Sequence, residues 1–340
     1  MKKEKTDIIT VSGGSGNMRV INISIERKKY MPLPLCACIG YFDGMHKGHQ
    51  ALIHETVSMA KRYGCESAMI TFDPDPWVTV KGLHDVQHIT TMRQRMNIAV
   101  SLGINNIVVL KFTKQMSELS PEAFVNEILG QLNLRGIVCG FDFHYGAKGT
   151  GSCESLKQQA AFEVKVVDAV EDEAGKISST RISAKVAEGD IPAVNAMLGY
   201  EYQMEGIVIH GRHKGTSMGF ATANIRYSRE YILPRPGVYA GYGTIGSKKY
   251  RAMINLGHNP TMNYTQDLSL EAHFIDFKGD LYGKMITLSF IRRMRPEMKF
   301  KNRDNLIMQL TQDLRDINKT LNAYEQSLSR SDENSDPGRI

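Results

Sequence analysis

Two histidines and three glycines fall within the ten residues Gly40-Tyr41-Phe42-Asp43-Gly44-Met45-His46-Lys47-Gly48-His49. The apolar run Leu35-Cys36-Ala37-Cys38-Ile39 precedes them and a helical pattern follows, so the segment reads as a strand-to-helix turn. A helix N-terminus offers unpaired N–H groups and a partial positive charge, and glycines let an anion approach that backbone closely. His46 and His49 share one helix face if the helix begins near His46, and their N–H groups can then meet charge developing on a phosphate. Gly40, Phe42, Asp43 and Gly48 complete this candidate cradle. A His-x-x-His pair also fits half of a metal site, or a solvated surface.

A second constellation, Lys176-Ile177-Ser178-Ser179-Thr180-Arg181, sets hydroxyls and a guanidinium at the start of another helix. That is again an anion site assisted by the helix dipole, although an ordinary Ser/Thr cap accounts for the same residues.

The elements that must hold these groups alternate in type. After an edge strand from Arg19 to Ile25 and the strand at 35–40, a helix runs to about Tyr63 with Ile53, Val57 and Ala60 on one stripe. Strands follow near 67–72, 106–110, 136–139 and 164–167. Helices between them begin near Thr91, at Ser120-Pro121 and near Glu154, with a last one from about Ser179. Asp73-Pro74-Asp75-Pro76 interrupts the regular pattern. Such alternation implies an α/β domain with a parallel sheet covered on both faces, and ligand at the carboxyl ends of the strands. Near Glu188–Pro192 the pattern changes to short β segments at about 203–210, 237–245, 250–256, 269–277 and 285–292, which suits a small antiparallel barrel. A helix over about 302–321 follows, striped by Leu306, Leu310, Leu314, Ile317 and Leu321. The divisions read as a flexible lead-in over 1–18, a nucleotide domain over 19–187, a barrel domain over 188–325 and a disordered tail over 326–340.

With 42% hydrophobic and 23% charged residues over 340, the composition is that of a globular protein with room for two cores. A formal charge of +6 suits anionic ligands, and no dense Lys/Arg block with interleaved aromatics points to nucleic acid. Five cysteines without a Cys-x-x-Cys pair read as reduced core thiols. No apolar run reaches the length of a membrane span, and the first residues lack a signal-peptide core, so a cytoplasmic location is expected.

The order Ile-Gly-x-Phe-Asp-Gly-x-His-x-Gly-His, Thr71-Phe72-Asp73-Pro74, Gly140-Phe141-Asp142-Phe143-x-Tyr145-Gly146 and Ile-Ser-Ser-Thr resembles the bacterial bifunctional riboflavin kinase/FMN adenylyltransferase family, also called FAD synthetase. The likeness continues through Gly211-x-x-x-Gly215, Gly219-Phe220-x-Thr222-Ala223-Asn224, Asn255-x-Gly257-x-x-Pro260-Thr261, Glu271-x-His273 and Arg295-x-x-x-x-Phe300, covering roughly 19–320. It implies a Rossmann-like nucleotidyltransferase domain, then a β-barrel riboflavin kinase domain and a C-terminal helix. In the first, an FMN phosphate oxygen attacks the α-phosphorus of ATP, with His46 and His49 on the phosphates and Ser178, Ser179, Thr180 and Arg181 closing over them. Asp142 and Phe143, with Phe141 and Tyr145, are candidates for a nucleotide or flavin pocket, core packing being the plain alternative for the aromatics.

In the barrel the resemblance implies an ATP site at Gly211, Gly215, Gly219, Thr222 and Asn224, with Mg²⁺ on Thr222 and Asn224. Glu271 is the implied base for the riboflavin 5′-hydroxyl, and Arg295 lies near the flavin. Read without the family, Glu271 is a solvated strand residue and Arg295 a surface ion pair. Riboflavin, FMN and ATP are the implied partners, and the chemistry needs no bound redox cofactor.

The chain departs from the family at three places. Ser183 stands where Ile-Ser-Ser-Thr-x-Ile-Arg ends in arginine, and Arg181 lies about 200° round the helix from it. One lost donor to a transition-state oxyanion costs ~10²–10³ in rate, so adenylylation depends on a substitute such as Lys176 or Lys185. Ala221 replaces a proline, and Thr216 stands where arginine is frequent. A kinase with an inactive first domain, and a flavin- or nucleotide-binding regulatory protein, are the alternatives these departures leave.

Overall fold

The computed structural model describes residues 8–13, 16–26, 31–210, 220–258 and 268–334. The chain divides into two compact units after Ser179. In the first, seven strands form one sheet: β1 (Ile8–Gly13), β2 (Gly16–Ile23), β3 (Leu35–Ile39), β4 (Glu66–Asp73), β5 (Asn106–Lys111), β6 (Leu134–Gly140) and β7 (Glu163–Val167), in the order β1-β2-β5-β4-β3-β6-β7. Six strands are parallel, and β1 pairs antiparallel with β2. Helices α1 (Lys47–Tyr63), α2 (Pro76–Lys81), α3 (Met92–Ser101), α4 (Lys114–Ser117), α5 (Pro121–Ala123) and α6 (Cys153–Gln159) connect them. The central strands are continuous apolar runs because both faces are covered: every residue of β3 is buried.

From β3 the chain proceeds to β4 and β5 on one side, then returns to place β6 on the other side of β3. The carboxyl ends of β3 and β6 therefore flank the switch point where open α/β sheets bind ligand. Cys38 pairs with Val138, so Gly40 and Gly140 leave the sheet side by side. A short hairpin, β8 (Glu171–Asp172) with β9 (Gly175–Lys176), leads to α7 (Ser179–Glu188).

The second unit is a closed six-stranded barrel of antiparallel pairs in the order β10-β11-β14-β13-β12-β15: β10 (Tyr202–Ile209), β11 (Ala223–Tyr227), β12 (Gly237–Ile245), β13 (Lys248–His258), β14 (Leu268–Phe274) and β15 (Met285–Arg295). Helix α8 (Ile191–Leu198) precedes it and α9 (Arg303–Asn334) follows. Val238, Ala240, Tyr242, Met253 and Ile291 on the outer face pack against Ile317 and Leu321 of α9, closing a second core.

Three expectations need correction. Residues 8–13, assigned to a flexible lead-in, form β1: the four consecutive β-branched residues Ile8-Ile9-Thr10-Val11 suit a strand, which pairs antiparallel with β2. The strand read as an edge over Arg19–Ile25 corresponds to β2, which ends at Ile23 and has β1 on one side and β5 on the other. Residues 326–334, assigned to a disordered tail, continue α9, because no helix breaker occurs before Pro337. Helix α8 and strand β11 have no counterpart in the sequence pattern.

Candidate active sites

The first site begins where β3 ends. Phe42 and Met45 take left-handed conformations, at φ 61° and 42°, of the kind that costs non-glycine residues of order 1 kcal/mol. Both side chains are fully buried, which holds that strained turn in place. Gly44 sits at φ 78°, and a Cβ there would meet Ile89 at 2.9 Å. Asp43 fastens the turn to the segment before α3: its carboxylate accepts from the Ile89 N–H at 3.0 Å, the Thr90 N–H at 3.1 Å and the Thr90 hydroxyl at 3.2 Å. The Gly44 N–H donates to Thr90 Oγ1 at 2.9 Å. Asp43 is thus the anchor of the cradle.

His46 caps α1, its Nδ1 accepting from the His49 N–H at 3.4 Å, and the two imidazoles stack 3.7 Å apart at 18°. Phe42 meets His49 edge-on at 5.2 Å. Burial, and then the nearby Lys176 charge, push His46 down to about 4, with Asp142 opposing. Burial also holds His49 well below the ordinary imidazole value, and His46, Arg95 and Lys176 add to the effect. Both rings are therefore neutral near pH 7 and act as dipoles rather than as cations. The buried Nδ1 of His49 has no hydrogen-bond partner, an orphan at the mouth of a helix N-terminus.

Behind the pair, Arg95 is 2% exposed and spends its guanidinium on the Tyr41 carbonyl at 3.2 Å, the Tyr41 hydroxyl at 3.4 Å and the Thr90 carbonyl at 3.2 Å. The second constellation reaches the same turn: Ser179 Oγ donates to the Asp43 carbonyl at 2.8 Å. Ser178 precedes Ser179, whereas Thr180, Arg181 and Ser183 belong to the part of α7 that opens the second unit. Lys185 pairs there with Glu188 at 2.8 Å and Asp190 at 3.6 Å. Asp142, just past β6, forms an ion pair with Lys176, whose ammonium lies 4.6 Å over the Phe141 ring. The Tyr145 side chain is core, and Phe143 stacks on it at 5.8 Å, while Phe141 is exposed.

In the barrel, register assembles the second site. Asn224 on β11 opposes Glu271 on β14, and Asn255 on β13 opposes Glu271 from the other side, so the three share one face of the wall. Burial raises the Glu271 carboxyl above the usual range. Exposed Thr222 precedes β11, where His273 Nδ1 lies 2.9 Å from the Ala221 carbonyl. Arg295 is clamped by Asp313 of α9, Nε to Oδ1 at 2.9 Å and Nη2 to Oδ2 at 2.7 Å. Gly211, Gly215, Thr216 and Gly219, like Pro260 and Thr261, lie outside the described residues. Neither Thr90 nor Arg95, nor the pairing of Lys176 with Asp142, had a signal in the sequence, because the partners stand tens of residues apart. Asn255 was visible within its motif, but only register shows what it faces.

Residues 31–181 match the FAD synthetase family and residues 198–321 the riboflavin kinase family. The bifunctional riboflavin kinase/FMN adenylyltransferase of Listeria monocytogenes is 38% identical over 281 residues, which are 82% of this chain and 90% of that protein. The chain belongs to the bifunctional riboflavin kinase/FMN adenylyltransferase family. The Bacillus subtilis member is 33% identical, with 81% of this chain and 89% of that protein aligned. A crystal structure of a macrolide-efflux protein from Streptococcus pneumoniae matches with TM-score 0.82 at 31% identity, covering 87% of this chain and 97% of that one. Efflux is a description of that protein; here no helix among the described residues is long and apolar enough to cross a membrane. As a bifunctional riboflavin kinase/FMN adenylyltransferase, the chain serves flavin-cofactor biosynthesis through two ATP-using transferase activities.

Proposed function

We propose that adenylylation runs at the His46–His49 turn and phosphorylation at the Asn224–Glu271–Asn255 face, each site built within its own unit. The observation that carries this reading is the pairing, in one chain, of a neutral histidine stack at a helix N-terminus with a desolvated carboxylate held in register against two asparagines.

At the first site an FMN phosphate oxygen bonds to the α-phosphorus of ATP, the bond from that phosphorus to the bridging oxygen breaks, and pyrophosphate leaves. The chain supplies position and electrostatics. Neutral imidazole N–H groups and the N-terminal amides of α1 face the oxygens on which charge accumulates, and none of them must first give up a proton. Ser179 and Asp43 hold the cradle closed from behind.

At the second site Glu271 takes the proton of the riboflavin 5′-hydroxyl as that oxygen attacks the γ-phosphorus, and ADP leaves. Burial serves this role by making the carboxylate a stronger base. The donor set around it fits Mg²⁺ carried by ATP. Thr222 and Asn224 offer neutral oxygens, and no group of three His, Cys, Asp or Glu among the described residues forms a metal cage of its own. When bound, Mg²⁺ neutralises phosphate charge. Five free cysteines support a cytoplasmic location.

Ser183 gives one second reading its weight: a working kinase joined to a silent transferase domain. Single-turnover incubation of FMN with Mg-ATP decides, since the reading here requires FAD and pyrophosphate in equal amounts and the alternative requires neither.

A further inference from the structure

We propose that Cys36 and Cys65 form a reversible dithiol–disulfide site, which a hydroperoxide oxidises and whose new bond closes the stretch of chain that carries the phosphate cradle.

The sheet unit brings four of its cysteines together in two pairs. Cys36 Sγ lies 3.3 Å from Cys65 Sγ, and Cys139 Sγ lies 3.4 Å from Cys153 Sγ. Access separates them. Cys139 and Cys153 are 0% and 1% exposed, whereas a partly exposed Cys65 covers a fully buried Cys36. An oxidant in solution therefore meets Cys65 and is kept from the second pair.

The backbone holds the first pair together before any bond forms. Cys36 is the second residue of β3. Cys65 follows Gly64, the left-handed cap of α1, and its N–H donates to the Ala60 carbonyl at 3.0 Å. The next residue, Glu66, opens β4 opposite Leu35, and its N–H donates to the Pro34 carbonyl at 3.2 Å. Both cysteines are thus fixed by sheet pairing and a helix cap, with their sulfurs already in contact.

The division of labour follows from burial. Burial, and then the Cys65 thiol beside it, push Cys36 up to about 12, so Cys65 is the attacking group and Cys36 the resolving one. With hydrogen peroxide, the Cys65 thiolate attacks one peroxide oxygen, the O–O bond breaks, and the hydroxide released takes up a proton, leaving a sulfenic acid. Cys36 sulfur then attacks Cys65 sulfur, the S–O bond breaks, and hydroxide leaves with the Cys36 proton as a second water. The two thiols lose two electrons, and the peroxide gains them. A thiol reductant reverses the step, and in a reducing compartment the pair rests as free thiols.

The bond would join residues 29 apart, enclosing most of β3, the Gly40–His49 turn and the whole of α1. Such a closure limits the unfolded freedom of that stretch. It lies at the amino end of β3, away from the histidines, so it braces the cradle without touching it.

The test treats the full chain with hydrogen peroxide, alkylates it and maps it by mass spectrometry without reduction. A peptide joining Cys36 to Cys65 should appear, lighter by two hydrogens, and dithiothreitol should remove it. Cys139 should become open to alkylation only when the sheet unit unfolds, and in the linked chain the temperature at which this happens should rise by roughly 5–10 °C. Cys65→Ser, at a partly exposed position, should show neither the link nor the rise after the same treatment. Oxidation of Cys65 to sulfinic acid without a link to Cys36, a Cys139–Cys153 link forming as fast, or a linked chain without the rise overturns the inference. None of these readings depends on where adenylylation takes place.

Discussion

Gly48→Ala should separate stability from adenylylation. Gly48 is the second residue of α1, where alanine is worth about 0.5–1 kcal/mol of helix stability over glycine. A Cβ at that position, however, meets His46 at 3.1 Å from Cε1 and 3.2 Å from Nδ1, closer than a relaxed contact. The ring cannot simply yield: it stacks on His49 at 3.7 Å, and its Nδ1 accepts the His49 N–H. Relief therefore shifts the imidazole by a few tenths of an ångström, which offsets much of the helix gain and misaligns the donor. A 1 Å error at a reacting centre costs ~10²-fold, so about a tenfold fall in kcat for FAD formation is expected. The free energy of unfolding should change by less than about 1 kcal/mol, within the size of the helix gain itself. FMN formation by the barrel should be unchanged, and measuring both products from one preparation supplies the comparison. Wild-type FAD formation by Gly48→Ala would refute the claim that the position of the His46 ring matters, and equal loss of both activities would show damage beyond the turn.

Other expectations follow from the same geometry. Glu271→Gln should abolish FMN formation and leave FMN adenylylation nearly intact, with His49→Ala doing the reverse; product chromatography from riboflavin and from FMN reads both. Because burial raises the Glu271 carboxyl, the acid limb of the kinase pH profile should lie above the ordinary carboxylate range and vanish in no variant that keeps this base. The buried His46, 6% exposed, titrates at about 4 in the fold against 6.5 unfolded, so the unfolded chain binds more protons between those values. Stability should be level above about pH 6.5 and fall by about 3 kcal/mol toward pH 4, and unfolding curves of His46→Gln should lack that share of the slope. Arg295→Ala leaves Asp313 buried without its partner, so the barrel should lose about 3–5 kcal/mol in denaturant titration, and any kinase defect must be corrected for unfolding.

The parallel sheet was legible because its strands are unbroken apolar runs between capped helices, and the barrel because its strands alternate between glycine-rich turns. Strand β11 was not. Its residues Ala223-Asn224-Ile225-Arg226-Tyr227 carry the site's asparagine, and their place in the wall is fixed by pairing with β10 and β14 rather than by local propensity. The candidate site residues stand out as types and spacings, but their partners do not. Asp43 stands out in the sequence as a candidate ligand, and the contact the sequence does not show is its fastening of the turn to backbone 46 residues away. Arg295 looks like a surface charge or a flavin contact and is held by Asp313, eighteen residues on in another element. Pairings of this length depend on tertiary placement, on which periodicity is silent.

One chain, on the function proposed for it, performs both transfers, each at its own site. Incubating it with riboflavin and Mg-ATP and resolving the flavins over time tests this directly. FMN should appear first and then give way to FAD with release of pyrophosphate. Accumulation of FMN with no FAD, at any enzyme concentration, would contradict it.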